Sequence, residues 1–210
     1  MATEVEARFS AAGPEVLRAI ADLPHLNRAD LGTPIASQEF DVYLDTVDGS
    51  LAAVRWACRL RTREDRVTLS LKGPPDPAVG RWLHRRPESE GPATAERDPA
   101  AWPASDARAL LERLSGGAAL VERFVLQQHR VERTVTQDGR RTGILTLDTV
   151  EVKHRGARVG RLHVVELELT AGTDDETILR PLAEELERMT GLTPEPRTKL
   201  ERALELIGGR

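Results

Sequence analysis

E-V-E-A-R at residues 4–8 and V-E-L-E-L at residues 165–169 decide how this chain is read. Both alternate charged with apolar side chains, and on a strand residues i and i+2 share a face. Glu4 therefore pairs with Glu6, and Glu166 with Glu168. A third carboxylate dyad, Glu88 and Glu90, lies in R-R-P-E-S-E at residues 85–90. Two like charges side by side destabilise a protein unless cations hold them. The neighbouring segments supply cations at the same spacing: Arg59, Arg61 and Arg63 share one face of residues 55–63, and Lys72 shares a face with Thr68 and Ser70. Such an arrangement suits a divalent metal and a polyanion.

The rest of the composition bounds the reading. A chain of 210 residues is expected to form one domain over residues 1–210. Hydrophobic content is 40% but aromatic content only 3%, so the core must come from Leu, Val, Ala and Ile. The net charge of −4 is too mild to imply nucleic-acid or membrane binding, so the charges matter through their placement. One cysteine, Cys58, excludes an internal disulfide and fits a reducing compartment. The N-terminus lacks a basic and apolar leader, and no apolar run suits a membrane span. A soluble cytoplasmic protein is expected.

Strand-like alternation marks eight segments, at residues 3–9, 38–45, 55–63, 66–72, 80–90, 123–136, 143–152 and 158–170. Pro87 interrupts the fifth and predicts an edge strand or a bulge. Helices are expected from Pro14 to about Asp22, over 106–115 with Ser105 as N-cap and Gly116-Gly117 as stop, over 176–189 with Asp174 or Asp175 as cap and Gly191 as stop, and over about 197–207. Leu179, Leu182, Ala183 and Leu186 form an apolar stripe on the third. Residues 73–77 and 91–104 read as linkers. Eight strands with mostly hairpin-length links predict an α+β fold, an eight-stranded antiparallel closed barrel whose apolar outer face is covered by helices and whose interior is charged.

Each charged element taken alone reads as a solvated strand face. Charges of both signs alternating in phase on six or more strands do not. In this setting E-V-E-A-R resembles the E-x-E-x-K signature that opens CYTH domains, the triphosphate tunnel metalloenzymes. Y-L-D-T (43–46), C-R-L-R (58–61), L-S-L-K-G (69–73), H-R-R-P-E-S-E (84–90), H-R-V-E-R (129–133), L-T-L-D (145–148), V-E-L-E-L (165–169) and R-T-K-L-E-R (197–202) then resemble the family's later elements in order. H-R-R-P-E with a later W-P and V-E-L-E-L is closest to the bacterial inorganic triphosphatases. Arg8 stands where the family usually has Lys, and Thr198 where Ser often precedes the Lys.

The resemblance implies a tunnel that takes a triphosphate end-on with Mg²⁺ or Mn²⁺. It implies metal ligands among Glu4, Glu6, Asp148, Glu166 and Glu168, and phosphate contacts from Arg8, Arg59, Arg61, Lys72, Arg86, Arg130 and Lys199. Glu88 and Glu90 are further tunnel carboxylates. Glu6, Glu168 and Lys72 are the expected catalytic groups, with Glu6 or Glu168 orienting or deprotonating a water that attacks the terminal phosphorus in line. Arg133 has the opposite parity to Arg130 and is expected to face outward. His84 and His129 read as ordinary strand residues, and Tyr43 as either a substrate contact or a packing residue. The expected activity is hydrolysis of inorganic tripolyphosphate to pyrophosphate and phosphate. The alternatives are a class IV-type adenylate cyclase, a thiamine triphosphatase and a non-catalytic polyphosphate-binding module. The Trp and Tyr residues are scattered along the chain, which argues against an adenine site. The partner is a small triphosphate or polyphosphate, with no nucleic acid, no membrane and no fused domain; a homodimer is an allowed assembly.

Overall fold

A computed structural model describes residues 2–76, 82–170 and 176–209. Eight strands close a barrel: β1 (Ala2–Ala11), β4 (Ile35–Thr46), β5 (Ala57–Arg63), β6 (Arg66–Lys72), β7 (Leu83–Ala93), β8 (Leu120–Gln137), β9 (Arg140–His154) and β10 (Ala157–Leu169). Their order is β4-β5-β6-β7-β1-β10-β9-β8, and β8 returns to β4 with every pairing antiparallel. Short strands β2 (His25–Leu26) and β3 (Ala29–Leu31) extend the sheet beside β8. A third, β11 (Leu192–Pro194), pairs with the end of β1.

All eight expected strands are present. The start of the fifth, residues 80 and 81, and the proposed cap at Asp174 or Asp175 lie outside the described residues. Pro87 departs from expectation, because β7 is an interior strand paired in register with both β1 and β6. The Pro87 carbonyl accepts a 2.8 Å bond from the Gly73 amide, just past the last residue of β6. A strand residue points its N–H and C=O to the same side, so the donor Pro87 lacks falls where β6 has ended. The 91–104 linker is also shorter than expected: β7 runs to Ala93, and a 3₁₀ turn occupies Pro99–Ala101.

Alternation assigns the two sheet faces. The outward side chains Val5, Ala7, Phe9, Leu145, Leu147, Val165, Leu167 and Leu169 form one apolar layer. Helices α1 (Pro14–Ala21) and α4 (Glu176–Arg188) cover it with Leu17, Ile20, Leu179, Leu182, Ala183 and Leu186. On the other flank Cys58, Leu60, Leu69 and Leu71 pack under α2 (Ser50–Ala53) and α3 (Asp106–Ser115) through Leu51, Ala107 and Leu111. Ser105 caps α3 by accepting the Arg108 amide at 3.1 Å, and Gly116 ends it with φ +61°. No helix among the described residues is long and apolar enough to cross a membrane.

A third apolar cluster lies on the inward faces. Phe124, Leu126, Val150, Val152, Leu162 and Val164 share strand parity with Arg130, Asp148 and Glu166, and helix α5 (Lys199–Gly208) packs across them through Ala203, Leu200, Leu206 and Ile207. The barrel interior is therefore charged along part of its length and filled with hydrocarbon at the end beneath α5.

Candidate active site

The alternation that buries Val5, Ala7 and Phe9 outward turns Glu4, Glu6 and Arg8 inward. All three are at least 95% removed from solvent. They line a cavity of about 450 Å³ with Arg59, Arg61, Lys72, Arg86, Glu88, Glu90, Arg130, Glu166, Glu168 and Lys199. Every expected site residue except Asp148 thus borders one space, and Asp148 is fully buried in contact with two of the others, Arg130 and Lys199.

Buried charges are tolerated only when paired and hydrogen-bonded. Lys72 donates to Glu4 and lies 3.1 Å from Glu88. Arg86 donates through Nε to Glu4 at 2.6 Å and through Nη2 to Glu6 at 3.4 Å. Arg8 donates to Glu6 and, at 3.0 Å, to Glu166. Arg130 makes a two-pronged pair with Asp148 at 2.8 and 2.7 Å, and Lys199 donates to Asp148 and Glu166 at 2.6 Å each. Burial alone would raise the Glu4 carboxyl, but Lys72 and Arg86 outweigh it and hold the group well below the usual carboxylate range. Burial likewise opposes ionisation of Asp148 and Glu166. Arg130 and Lys199 outweigh it at Asp148, and Lys199, Arg8 and Arg130 do so at Glu166, so both carboxyls titrate low.

Glu168 differs from the others. Among the described residues it has no ion-pair or hydrogen-bond partner, and burial followed by the charges of Glu4 and Glu6 pushes its carboxyl up to about 8. One oxygen each of Glu4, Glu88 and Glu168 lies within 4.8 Å of the other two. Three carboxylates converging from β1, β7 and β10 match the oxygen donors a hard divalent cation takes. Glu6 faces Arg8 and Arg86, and Asp148 and Glu166 face Arg130 and Lys199, so the cluster draws on Glu88 in addition to the dyad members Glu4 and Glu168.

Two groups of the site were not singled out from the sequence. Asp41, fully buried, accepts Arg61 Nε and Nη2 at 2.7 Å each, Gln128 Nε2 at 2.6 Å and Arg59 Nη1 at 3.3 Å. Glu39, two residues earlier on the same face, lies 3.1 Å from Arg61 and 3.7 Å from Arg130. The signal was present as E-F-D-V-Y at residues 39–43, a fourth i, i+2 carboxylate pair on a strand. Asp45, in contrast, is occupied in structure: its carboxylate accepts the amides of Thr46, Leu51 and Ala52 and so anchors α2.

Tyr43 stacks on Phe124 with ring centres 4.7 Å apart, and both line the cavity with Trp56. The aromatic residues are dispersed in sequence, yet three of them converge here. His84 is buried and held near 4 by burial and by Arg8, hence neutral, with Nε2 2.9 Å from the Glu195 carbonyl. Arg133 faces away from the tunnel and donates to the carbonyls of Ala21, Leu23, Leu31 and Gly32.

The model of the CYTH domain matches residues 2–204. No curated protein sequence matches the chain. Among solved structures, a Hippeastrum adenylyl cyclase candidate described as having a dominant triphosphatase activity superposes with a TM-score of 0.70 at 19% identity, over 99% of this chain and 96% of that one. A structure described as an adenylate cyclase candidate from Bacillus halodurans gives a TM-score of 0.61 at 20% identity, over 96% and 98%. The Mimivirus capping enzyme triphosphatase gives 0.50 at 13% identity, over 87% and 88%. At these identities the likeness establishes a shared fold.

Proposed function

Because the chain belongs to the CYTH domain family, we propose that its tunnel hydrolyses a triphosphate with the help of a divalent cation, and that inorganic tripolyphosphate, cleaved to pyrophosphate and phosphate, is the substrate. One observation carries this reading: Glu4, Glu88 and Glu168 converge within 4.8 Å inside a cavity whose cationic lining includes Arg8, Arg59, Arg61, Lys72, Arg86, Arg130 and Lys199. These cations are paired with Glu4, Glu6, Asp41, Glu88, Asp148 and Glu166. A polyanion entering such a balanced interior needs additional positive charge.

Mg²⁺ or Mn²⁺ fits the carboxylate cluster by donor chemistry, with Glu4, Glu88 and Glu168 as its holders and Glu6 beside them. Bound there, it supplies positive charge that offsets phosphate oxygens and acidifies water. The remaining chemistry falls to the side chains. Lys72, which lies between Glu4 and Glu88, would donate to a phosphate oxygen from that position. The guanidinium groups of Arg59, Arg61, Arg86 and Arg8 offer forked donors suited to phosphate oxygens, while Lys72 and Lys199 act as point charges. They hold the chain in line and stabilise charge on the leaving pyrophosphate. Glu168, which has no ion-pair partner among the described residues, or Glu6 orients the attacking water and accepts its proton.

Trp56, Tyr43 and Phe124 along one wall favour a second reading, an organic triphosphate such as ATP or thiamine triphosphate. Incubation with tripolyphosphate, ATP and thiamine triphosphate, each with Mg²⁺ or Mn²⁺, separates the readings. Phosphate from tripolyphosphate supports the first; turnover of only the organic substrates, or cyclic AMP from ATP, selects the second. Absence of turnover with tight polyphosphate binding would overturn both in favour of a binding module.

A further inference from the structure

The tunnel is built partly by a segment that is not one of its staves. Beyond Ala7, β1 exchanges its partner β7 for β11, and the Glu195 amide continues that pairing by donating to the Arg8 carbonyl at 3.0 Å. Residues 195–198 then turn into α5, whose first residue is Lys199. Glu195 is acidic, outside the cavity lining, and only 3% exposed. Its carboxylate accepts the Arg197 amide at 3.1 Å and the Arg197 guanidinium at 2.7 and 2.9 Å, and lies 3.3 Å from Arg202 Nε. Its carbonyl meets His84 at 2.9 Å. The product of this clamp is a fixed Arg197 carbonyl, which accepts Arg8 Nη1 at 3.0 Å, and a fixed Thr198 cap, after which Lys199 drops onto Asp148 and Glu166.

We propose that Glu195 is a positioning residue for the tunnel: it holds the 195–198 turn so that Lys199 and Arg8 are aimed at the substrate's phosphates. The inference rests on the phosphate-binding role proposed for those two cations. A buried carboxylate that pairs with two arginines, Arg197 in the turn and Arg202 on α5, fixes this turn more tightly than the neighbouring Pro194 and Pro196 would alone.

The chain has three lysines, Lys72, Lys153 and Lys199, so their modification can be followed one by one. Reductive methylation of the whole chain, read by peptide mass spectrometry, requires no turnover and so stands or falls apart from the triphosphatase reading. In E195A, Lys199 should be modified about threefold or more faster than in the parent while Lys153 is unchanged, with E195Q in between. In the activity assay E195A should lower kcat/KM about tenfold, yet change it less than about fourfold in a K199A background, because part of its effect runs through Lys199 and the rest through Arg8. If E195A does not fold, E195Q and R202M carry both measurements. Unaltered Lys199 labelling in a folded variant, or the same fold-loss in both backgrounds, would overturn the proposal.

Discussion

Glu168 ties cation binding to pH. Its carboxyl is pushed up to about 8 by burial and by Glu4 and Glu6. Below that value the group carries a proton, and a divalent ion taken up by Glu4, Glu88 and Glu168 must displace it. With a pKa of about 8, roughly 1% of Glu168 is ionised at pH 6 and half at pH 8, so the apparent affinity should rise about 50-fold over that interval and less than about twofold from pH 8 to 9. The sign also fixes the stability of the metal-free protein. A folded-state pKa above the ordinary 4.5 adds stability at low pH, and that stability is lost as pH rises through about 8. Mn²⁺ titrations by calorimetry or electron paramagnetic resonance at pH 6, 7, 8 and 9 read the affinity directly, and buffers of differing ionisation heat read the released proton. Glu168→Gln should bind weakly and lose the steep pH dependence. An affinity that is flat from pH 6 to 8 in the parent, or an equally steep one in the Gln variant, would refute the argument.

Three further outcomes follow from other parts of the structure. Lys72→Met removes the ammonium between Glu4 and Glu88 and should cost roughly 10- to 100-fold in kcat/KM, the size of one charge-assisted contact, in a steady-state assay. Arg133→Met deletes donors to four carbonyls that tie α1 and the β2–β3 hairpin to β8; urea denaturation should show a loss of roughly 3–5 kcal/mol with KM unchanged, and a loss under about 1 kcal/mol would contradict this anchoring role. Phe124→Ala empties part of the hydrocarbon fill beneath α5 and should destabilise by roughly 3–5 kcal/mol, seen as a lower thermal midpoint by calorimetry.

The strands were legible because their alternation is imposed by a barrel with oil outside and charge inside. Where one face is uniformly Glu or Arg and the other Val or Leu, as at residues 4–9 and 165–169, phase alone tells inside from outside. The rule weakens where the interior stops being polar. On β9 the inward residues change from Thr146 and Asp148 to Val150 and Val152, so two-residue phase no longer separates the faces by polarity. The fill beneath α5 was hidden for that reason. Asp41 and Glu39 were passed over because Phe40, the outward residue between them, is 42% exposed, so the apolar face that marks the other strands is incomplete there, although Val42 packs beneath α2 and α3. Pro87 misled because a missing donor matters only if a partner strand stands opposite it, and pairing is a property of the fold. The convergence of Trp56, Tyr43 and Phe124 depends on the same long-range closure.

Arg8 and Lys199 grip the same side chain, Glu166, although nearly the whole chain separates them. Such far-apart pairing makes for slow assembly, since long loops must close before any contact rewards them. In a polypeptide still emerging from the ribosome, β7 can cover one edge of β1 up to Ala7, but the other edge, at residues 6–10, stays an open strand margin until residues 164–168 arrive, and residues 9–11 wait for 192–194. During synthesis, then, β1 completes its pairing last, and chaperone demand should concentrate on that interval.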